Sequence, residues 1–161
     1  MRNLRQLTDD ELWVGTLELV TREREVTLSV LHHLREVERR CLDAARGFSS
    51  LFEYAVKELR YSEGSAYRRI LSVRLLKELP ELEEKIENGS LGLSTLAQAQ
   101  KFFRQEKTAI LEQREILSML EGHSAREVER TLAAKASVQV AKDAVTCRWR
   151  RRLLNFSFEM E

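Results

Sequence analysis

Apolar positions recur at helical spacing along most of the chain, and the first such run is the longest. Thr8 followed three residues later by Glu11 is a capping-box pattern, and no Gly or Pro lies between Gly15 and Gly47. This pattern predicts a helix that exceeds about thirty residues, with an apolar stripe formed by Leu12, Leu19, Val26, Val30, Leu34 and Val37. A stripe of this length needs a long partner, so it indicates either a second copy of the chain or a bent helix.

Residues 47–79 predict two shorter helices joined by a tight turn. Ser50 with Glu53 forms a second capping-box pattern, and the apolar side of the helix that it starts consists of Phe52, Ala55, Val56 and Leu59. Ser62 is a suitable N-cap for the next helix, whose buried side is predicted from Ala66, Ile70 and Val73. Two helices joined in this way have the outline of a helix-turn-helix.

In a helix-turn-helix, the second helix lies in the major groove of DNA with its N-terminal residues at the base edges. The stretch from Arg60 to Pro80 carries five basic and two acidic residues, a local charge of +3 that suits this role. The alternative is that two amphipathic helices form an ordinary helical pair with a solvated basic face. The candidate DNA-binding residues of this stretch are Ser62, Glu63, Ser65, Tyr67, Arg68, Arg69, Ser72 and Arg74.

Further helices are predicted after this pair. Pro80 interrupts the chain, and Asn88-Gly89 ends a short helix as its left-handed cap. Ser94 is expected to cap a helix that runs through Phe103. Two more helices are predicted over residues 107–120 and 124–136, the latter with a capping box at Ser124.

The last segment has a different pattern. Leu154, Phe156, Phe158 and Met160 alternate with polar residues, which predicts a β-strand without a partner in the chain. A basic cluster precedes it and is either a phosphate-binding arm or a solubilising flank, and its members are Arg148, Arg150, Arg151 and Arg152. The sequence thus predicts an all-α, multi-helix domain with a long N-terminal helix, a central helix-turn-helix and a short C-terminal strand. The boundaries fall at 1–46, 47–136 and 137–161.

Composition narrows the possible classes of protein. The 161 residues include one Pro and 33% charged side chains, which favours helices, and the net charge of +1 argues against indiscriminate coating of nucleic acid. Cys41 and Cys147 have no metal-binding spacing and are expected to be free thiols. No signal peptide or membrane span is evident, so we expect a cytoplasmic protein.

Catalytic motifs are sparse. No Gly-rich phosphate loop and no nucleophile elbow is present, and His32, His33 and His123 have no metal-ligand or general-base arrangement. The sequence therefore predicts no enzymatic activity, no cofactor, no metal and no small-molecule substrate.

The stretch GFSSLFEYAVKELRYSEGSAYRRI, together with GSLGLSTL and the block EGHSAREVERTLA, resembles the N-terminal helical region of bacterial HNH endonuclease-like proteins. The resemblance covers residues 7–136, and the C-terminal strand also fits it. It implies a helical region that precedes a zinc-containing nuclease module. The ligand and catalytic residues of that module are absent here, so the alternative is an N-terminal fragment of such an endonuclease.

The same core has a weaker resemblance to the helix-turn-helix of ParB-type partition proteins. The residues that carry it are Ser62, Tyr67-Arg68-Arg69-Ile70 and Leu79-Pro80. The resemblance implies that the second helix enters the major groove through Ser62, Ser65, Arg68 and Arg69. The nucleotide-binding motifs of that family are missing, so it implies no nucleotide chemistry.

Taken together, these observations favour a non-catalytic DNA-binding protein, regulatory or partition-like, that acts as a homodimer on double-stranded DNA without a membrane partner. A helical protein-interaction or dimerisation scaffold is the alternative from another class.

Overall fold

A computed structural model describes residues 4–136, and these form helices and connecting loops without a strand. A short 3-10 helix, Leu4–Gln6, precedes the first α-helix. The α-helices are α1 (Asp9–Arg39), α2 (Leu42–Ala45), α3 (Leu51–Lys57), α4 (Glu63–Glu78), α5 (Leu82–Glu87), α6 (Leu93–Glu106), α7 (Ile110–Met119) and α8, which covers residues 125–136 and reaches the last described residue. The predicted C-terminal strand lies outside the described residues.

Helix α1 confirms the prediction of a helix longer than thirty residues. Its start is a complete capping box, in which Glu11 N–H donates to Thr8 Oγ1 at 3.3 Å and the Glu11 carboxylate accepts from Thr8 N–H at 2.8 Å. These two bonds satisfy backbone groups that have no partner within the helix. The same carboxylate also accepts from the Thr8 hydroxyl, and the Thr8 bonds lower the pKa of Glu11.

The two halves of α1 have different surroundings. Leu28, Leu31 and Leu34 in the second half are buried in the hydrophobic core, where α1 packs against α4 and α5. In the first half, large apolar side chains are exposed, with Trp13 70% exposed and Leu17 55% exposed. The buried face differs from the predicted stripe. Of the predicted residues, Leu34 is buried and Val30 and Val37 pack against the core, whereas Leu12, Leu19 and Val26 are exposed.

Helix α4 is the centre of the fold. It packs most extensively against α6 and also contacts α1 and α3. The predicted buried residues Ala66, Ile70 and Val73 are all buried, and Leu75 and Leu76 on neighbouring positions are buried as well. Apolar contacts therefore surround most of the circumference of the second half of this helix.

Several predicted helix boundaries are confirmed and others are shifted. Pro80 separates α4 from α5, and Gly89 has a φ of +80° at the end of α5, as a left-handed cap requires. The prediction that Ser94 caps the next helix is wrong, because Gly92 is the N-cap of α6. Helix α7 begins at Ile110 rather than at Lys107, since Lys107 has a φ of +52° and ends α6.

The capping box predicted at Ser124 is confirmed. Ser124 caps α8 with a capping box, in which Ser124 N–H donates to the Glu127 carboxylate at 2.8 Å and Glu127 N–H donates to Ser124 Oγ at 3.4 Å. Cys41 is exposed and forms no disulfide within residues 4–136, and Cys147 lies outside the described part of the chain. No helix within residues 4–136 has both the length and the apolar composition to cross a membrane.

Gly89 is the position where a glycine is most needed, and this leads to a stability prediction. Arg24 Nη1 donates to Asn88 O at 3.3 Å, so the Arg24 guanidinium lies against this turn where a Cβ at Gly89 would stand. Gly89→Ala would place an L side chain at positive φ and displace Arg24. We expect it to lower the free energy of unfolding by about 1–2 kcal/mol in urea denaturation followed by circular dichroism.

Gly15 provides the matched control for this substitution. It lies inside α1 with no atom near its potential Cβ, so Gly15→Ala is expected to raise the free energy of unfolding by about 0.5–1 kcal/mol. Equal effects of the two substitutions would contradict the special role of Gly89.

Candidate nucleic-acid interface

The two predicted helices of the central pair correspond to α3 and α4. At the start of α3, Glu53 N–H donates to Ser50 Oγ at 3.2 Å, which confirms Ser50 as the N-cap. The return bond of a capping box is made one residue earlier than predicted, because Ser49 N–H donates to the Glu53 carboxylate at 2.7 Å. The Lys57 ammonium donates to the same carboxylate at 2.5 Å, and the Lys57 and Ser49 bonds lower the pKa of Glu53 to about 2.

The apolar side of α3 differs from the predicted one. Leu51 and Ala55 are buried, whereas Phe52 and Leu59 are each 38% exposed. Leu59 lies beyond the helix because α3 ends at Lys57, whereas Phe52 lies within α3 on a side that the described chain leaves partly exposed. The predicted burial of Phe52 and Leu59 is therefore wrong.

The connection between the helices comprises residues 58–62. Arg60 adopts a φ of +59°, and Tyr61 N–H donates to Ala55 O at 3.1 Å, which turns the chain back towards α3. Ser65 N–H then donates to Ser62 Oγ at 3.3 Å, so Ser62 is the N-cap of α4 as predicted.

Arg69 joins this connection to α4. Its guanidinium lies over the Tyr61 ring, with Cζ 4.2 Å from the ring centroid, a cation–π contact. Its Nη1 also donates to Ser65 Oγ and, at 3.3 Å, to Ser65 O. The side chain is half-buried, and its Nε is buried without a hydrogen-bond acceptor in the described part of the chain. Arg69 and Ser65 thus bind each other and fix the start of α4, so neither points freely into solvent.

The first two turns of α4 present the exposed part of the candidate interface. Glu63, Tyr67 and Arg68 are exposed there, and Ser62 is exposed at the cap. None of the ion pairs within residues 4–136 involves Arg68 or Glu63. We call Ser62, Glu63, Tyr67 and Arg68 the α4 tip.

Ser72 does not belong to the exposed face on which it was predicted. It is fully buried, and its hydroxyl donates to Arg68 O at 2.9 Å within α4. Leu71 beside it is also buried, at 2% exposure. The prediction for Ser72 is wrong because neighbouring helices cover the middle of α4, which the local sequence does not reveal.

Arg74 is exposed but lies two helical turns beyond Tyr67, on the far side of buried Leu71 and Ser72. The structure places it beside Lys77 and residues of α1 and α6 rather than at the α4 tip. Sequence reasoning could not find this second group, because its members Arg35, Arg74 and Arg104 are far apart along the chain and no local spacing connects them.

The predicted phosphate contacts of the basic C-terminal cluster lie outside the described residues. These are Arg148, Arg150, Arg151 and Arg152.

Within residues 4–136, no group of three or more His, Cys, Asp or Glu side chains is arranged to hold a metal ion.

Comparisons with known proteins gave no match for this chain. No protein-family model, no curated protein and no solved structure matches this chain. The resemblances to HNH endonuclease-like proteins and to ParB-type partition proteins therefore stay predictions, and the candidate interface rests on the geometry of the chain itself.

Proposed function

We propose that this protein is a non-catalytic DNA-binding protein that uses α3 and α4 as a helix-turn-helix, with the α4 tip at the base edges of the major groove. The observation that carries the proposal is the exposure of Tyr67 and Arg68 at the start of α4, where Arg68 takes part in none of the ion pairs within residues 4–136. A recognition helix needs side chains that project from its N-terminal turns into solvent, and its remaining faces must be fixed by the domain.

Three residues of the α4 tip have side chains that can contact DNA. Arg68 presents a guanidinium that can donate two hydrogen bonds to the O6 and N7 atoms of guanine. The Glu63 carboxylate repels phosphate but accepts from the N4 amine of cytosine. The Tyr67 hydroxyl can donate to a phosphate oxygen, which positions the helix without reading sequence.

Arg69 supports the interface indirectly in this proposal. Its stacking on Tyr61 and its bonds to Ser65 hold the connection against α4, so it orients the tip rather than touching a base. The sequence placed Arg68 and Arg69 together as candidate DNA contacts, whereas this proposal gives a direct contact only to Arg68.

We also propose that the protein is a homodimer joined through the exposed half of α1. Trp13, Leu17 and Val20 lie on the same face of the helix as buried Leu31, so the side that forms the core continues into solvent. Soluble monomers rarely expose an apolar surface of this kind, and a two-fold axis would let the same stripe of two copies cover each other. Such a dimer would present two α4 tips to a palindromic site.

The exposed half of α1 also favours a second candidate function, a helical dimerisation or protein-interaction domain that does not bind DNA. The two functions differ in a direct measurement. A protein that dimerises but gives no anisotropy change with duplex DNA at low salt would be assigned to the second class.

Substitution of Arg68 tests the DNA-binding proposal. Arg68→Ala is expected to weaken binding to the preferred duplex by about 1–3 kcal/mol and to relax its sequence preference, because a bidentate base contact is lost. If Arg68 contacts a phosphate instead, the loss is uniform across sequences and the slope of log K against log salt falls in magnitude by about 1. The measurement is fluorescence anisotropy with duplexes selected from a random pool.

Arg126→Ala is the matched control for this experiment, since Arg126 is exposed near the start of α8 and the substitution removes the same charge. It is expected to leave affinity and sequence preference unchanged. Equal losses for Arg68→Ala and Arg126→Ala would show that general charge, not the α4 tip, governs binding.

The dimer is tested by placing charge on the exposed stripe. Trp13→Glu combined with Leu17→Glu is expected to convert a dimer into a monomer in light scattering at tens of micromolar, since two carboxylates per chain would be buried at the interface. Ile110→Glu combined with Leu111→Glu makes the same chemical change at exposed positions of α7 and should leave the dimer intact. A wild-type protein that is monomeric under these conditions would disprove the dimer.

A further inference from the structure

A cleft of about 690 Å³ lies where α1, α4 and α6 meet, away from the α4 tip. Its lining includes five basic and three acidic side chains and one amide, that of Gln100. The basic residues are Arg35 and Arg39 from α1, Arg74 and Lys77 from α4, and Arg104 from α6. The volume falls within the range of pockets that hold small ligands.

The positive charge of this cleft is not fully compensated. Glu36 accepts from Arg39 at 2.6 Å and from Arg40 at 2.5 Å, and these bonds lower the pKa of Glu36 to about 2, so Glu36 and Arg39 neutralise each other. Arg35 lies 4.0 Å from the Glu83 carboxylate. The lining residues outside these pairs are the three cations Arg74, Lys77 and Arg104 and the two carboxylates Glu38 and Glu78, an excess of one positive charge.

Three of these cations are available to a ligand. Arg74, Lys77 and Arg104 take part in none of the ion pairs found within the described residues. They come from two different helices, α4 and α6, that pack closely against each other. An anionic group in the cleft would therefore meet them without breaking an existing pair.

Gln100 gives an independent indication of a ligand. Its side chain lines the cleft from α6 yet is only 4% exposed, and its Oε1 has no hydrogen-bond donor in the part of the chain that the structure describes. Buried polar atoms are nearly always hydrogen-bonded, so an acceptor without a donor beside a basic cleft indicates a ligand group that donates.

We propose that this cleft binds a small phosphate monoester that also carries hydroxyl groups, as a sugar phosphate does. The phosphate accepts hydrogen bonds from Arg74, Lys77 and Arg104, which are strengthened by charge. A hydroxyl of the ligand donates to Gln100 Oε1. The unpaired carboxylates of Glu38 and Glu78 accept from further hydroxyls, which explains why a basic cleft also contains acidic side chains.

A small ligand fits the position of the cleft better than a DNA backbone does. The cleft is concave and lies between three helices, and buried Leu71 and Ser72 separate it from Tyr67 and Arg68 along α4. The site is therefore distinct from the proposed DNA-binding surface, and the protein would bind two classes of ligand at two places.

Isothermal titration calorimetry of the full chain without DNA tests the proposal, with ribose 5-phosphate as the probe. Ribose alone lacks the phosphate and inorganic phosphate lacks the hydroxyls, so each is expected to bind at least about 10-fold more weakly than ribose 5-phosphate. Binding of inorganic phosphate as tight as that of ribose 5-phosphate would overturn the role of Gln100. No binding of ribose 5-phosphate at millimolar concentration would overturn the site.

Variants assign the binding to the cleft. Arg74→Gln with Lys77→Gln is expected to weaken ribose 5-phosphate binding by at least about 10-fold, whereas Arg126→Gln with Arg130→Gln removes the same charge from exposed positions of α8 and should have no effect. Both pairs are exposed, so thermal melts should show an intact fold. Equal weakening by the two variants would contradict the proposal.

Gln100→Leu distinguishes the contact to the ligand hydroxyl from the contacts to the phosphate. It is expected to weaken ribose 5-phosphate binding while the weak binding of inorganic phosphate stays the same. If Gln100→Leu does not fold, Glu78→Ala removes another proposed hydroxyl acceptor at an exposed position and should lower the affinity for ribose 5-phosphate relative to that for inorganic phosphate. If the Arg74 and Lys77 variant changes only the salt dependence of DNA affinity, the cleft belongs to the DNA surface and the proposal is wrong. The titrations contain no DNA, so a negative result would disprove the ligand site without bearing on the proposed role of the α4 tip. The anisotropy experiment with Arg68→Ala tests that role separately.

Discussion

The burial of α4 by α1, α3 and α6 is the constraint on which the rest of this structure depends. The second half of α4 carries apolar residues on several sides, and Leu75, Leu76 and Leu79 are almost fully buried. Burying such a helix on one face would leave apolar area in water, so the fold needs neighbours on several sides of it. The positions of α1, α3 and α6 follow from this requirement.

The same burial divides the surface of α4 into two exposed parts. The α4 tip projects beyond the packed region, and Arg74 with Lys77 emerges again after the covered Leu71 and Ser72. The proposed DNA-binding function depends on a helix whose start is held by Arg69 while Tyr67 and Arg68 stay exposed. The second exposed part becomes one wall of a cleft, because α1 and α6 flank α4 there.

The apolar face of helix α1 is buried in the second half of the helix and exposed in the first half. Its second half contributes Leu28, Leu31 and Leu34 to the core, which anchors the helix. The capping box at Thr8 and the helical periodicity extend the helix well before that core begins, so the first half projects with the same apolar face uncovered. The anchored half gives the projecting half a fixed direction, which is what a dimer interface requires.

The sequence alone determined most of the features that depend on neighbours within one helical turn, although the N-cap predicted at Ser94 lies at Gly92 instead. The N-caps at Thr8, Ser50, Ser62 and Ser124, and the left-handed end at Gly89, are bonds or dihedral angles set within a few residues, so their patterns predicted them. Only tertiary structure decided which outward positions stay in solvent. Ser72 is covered by helices that are distant in sequence. The cleft likewise brings together Arg35, Arg74 and Arg104 from segments far apart along the chain. Packing against distant segments determines burial and proximity, and local periodicity does not report it.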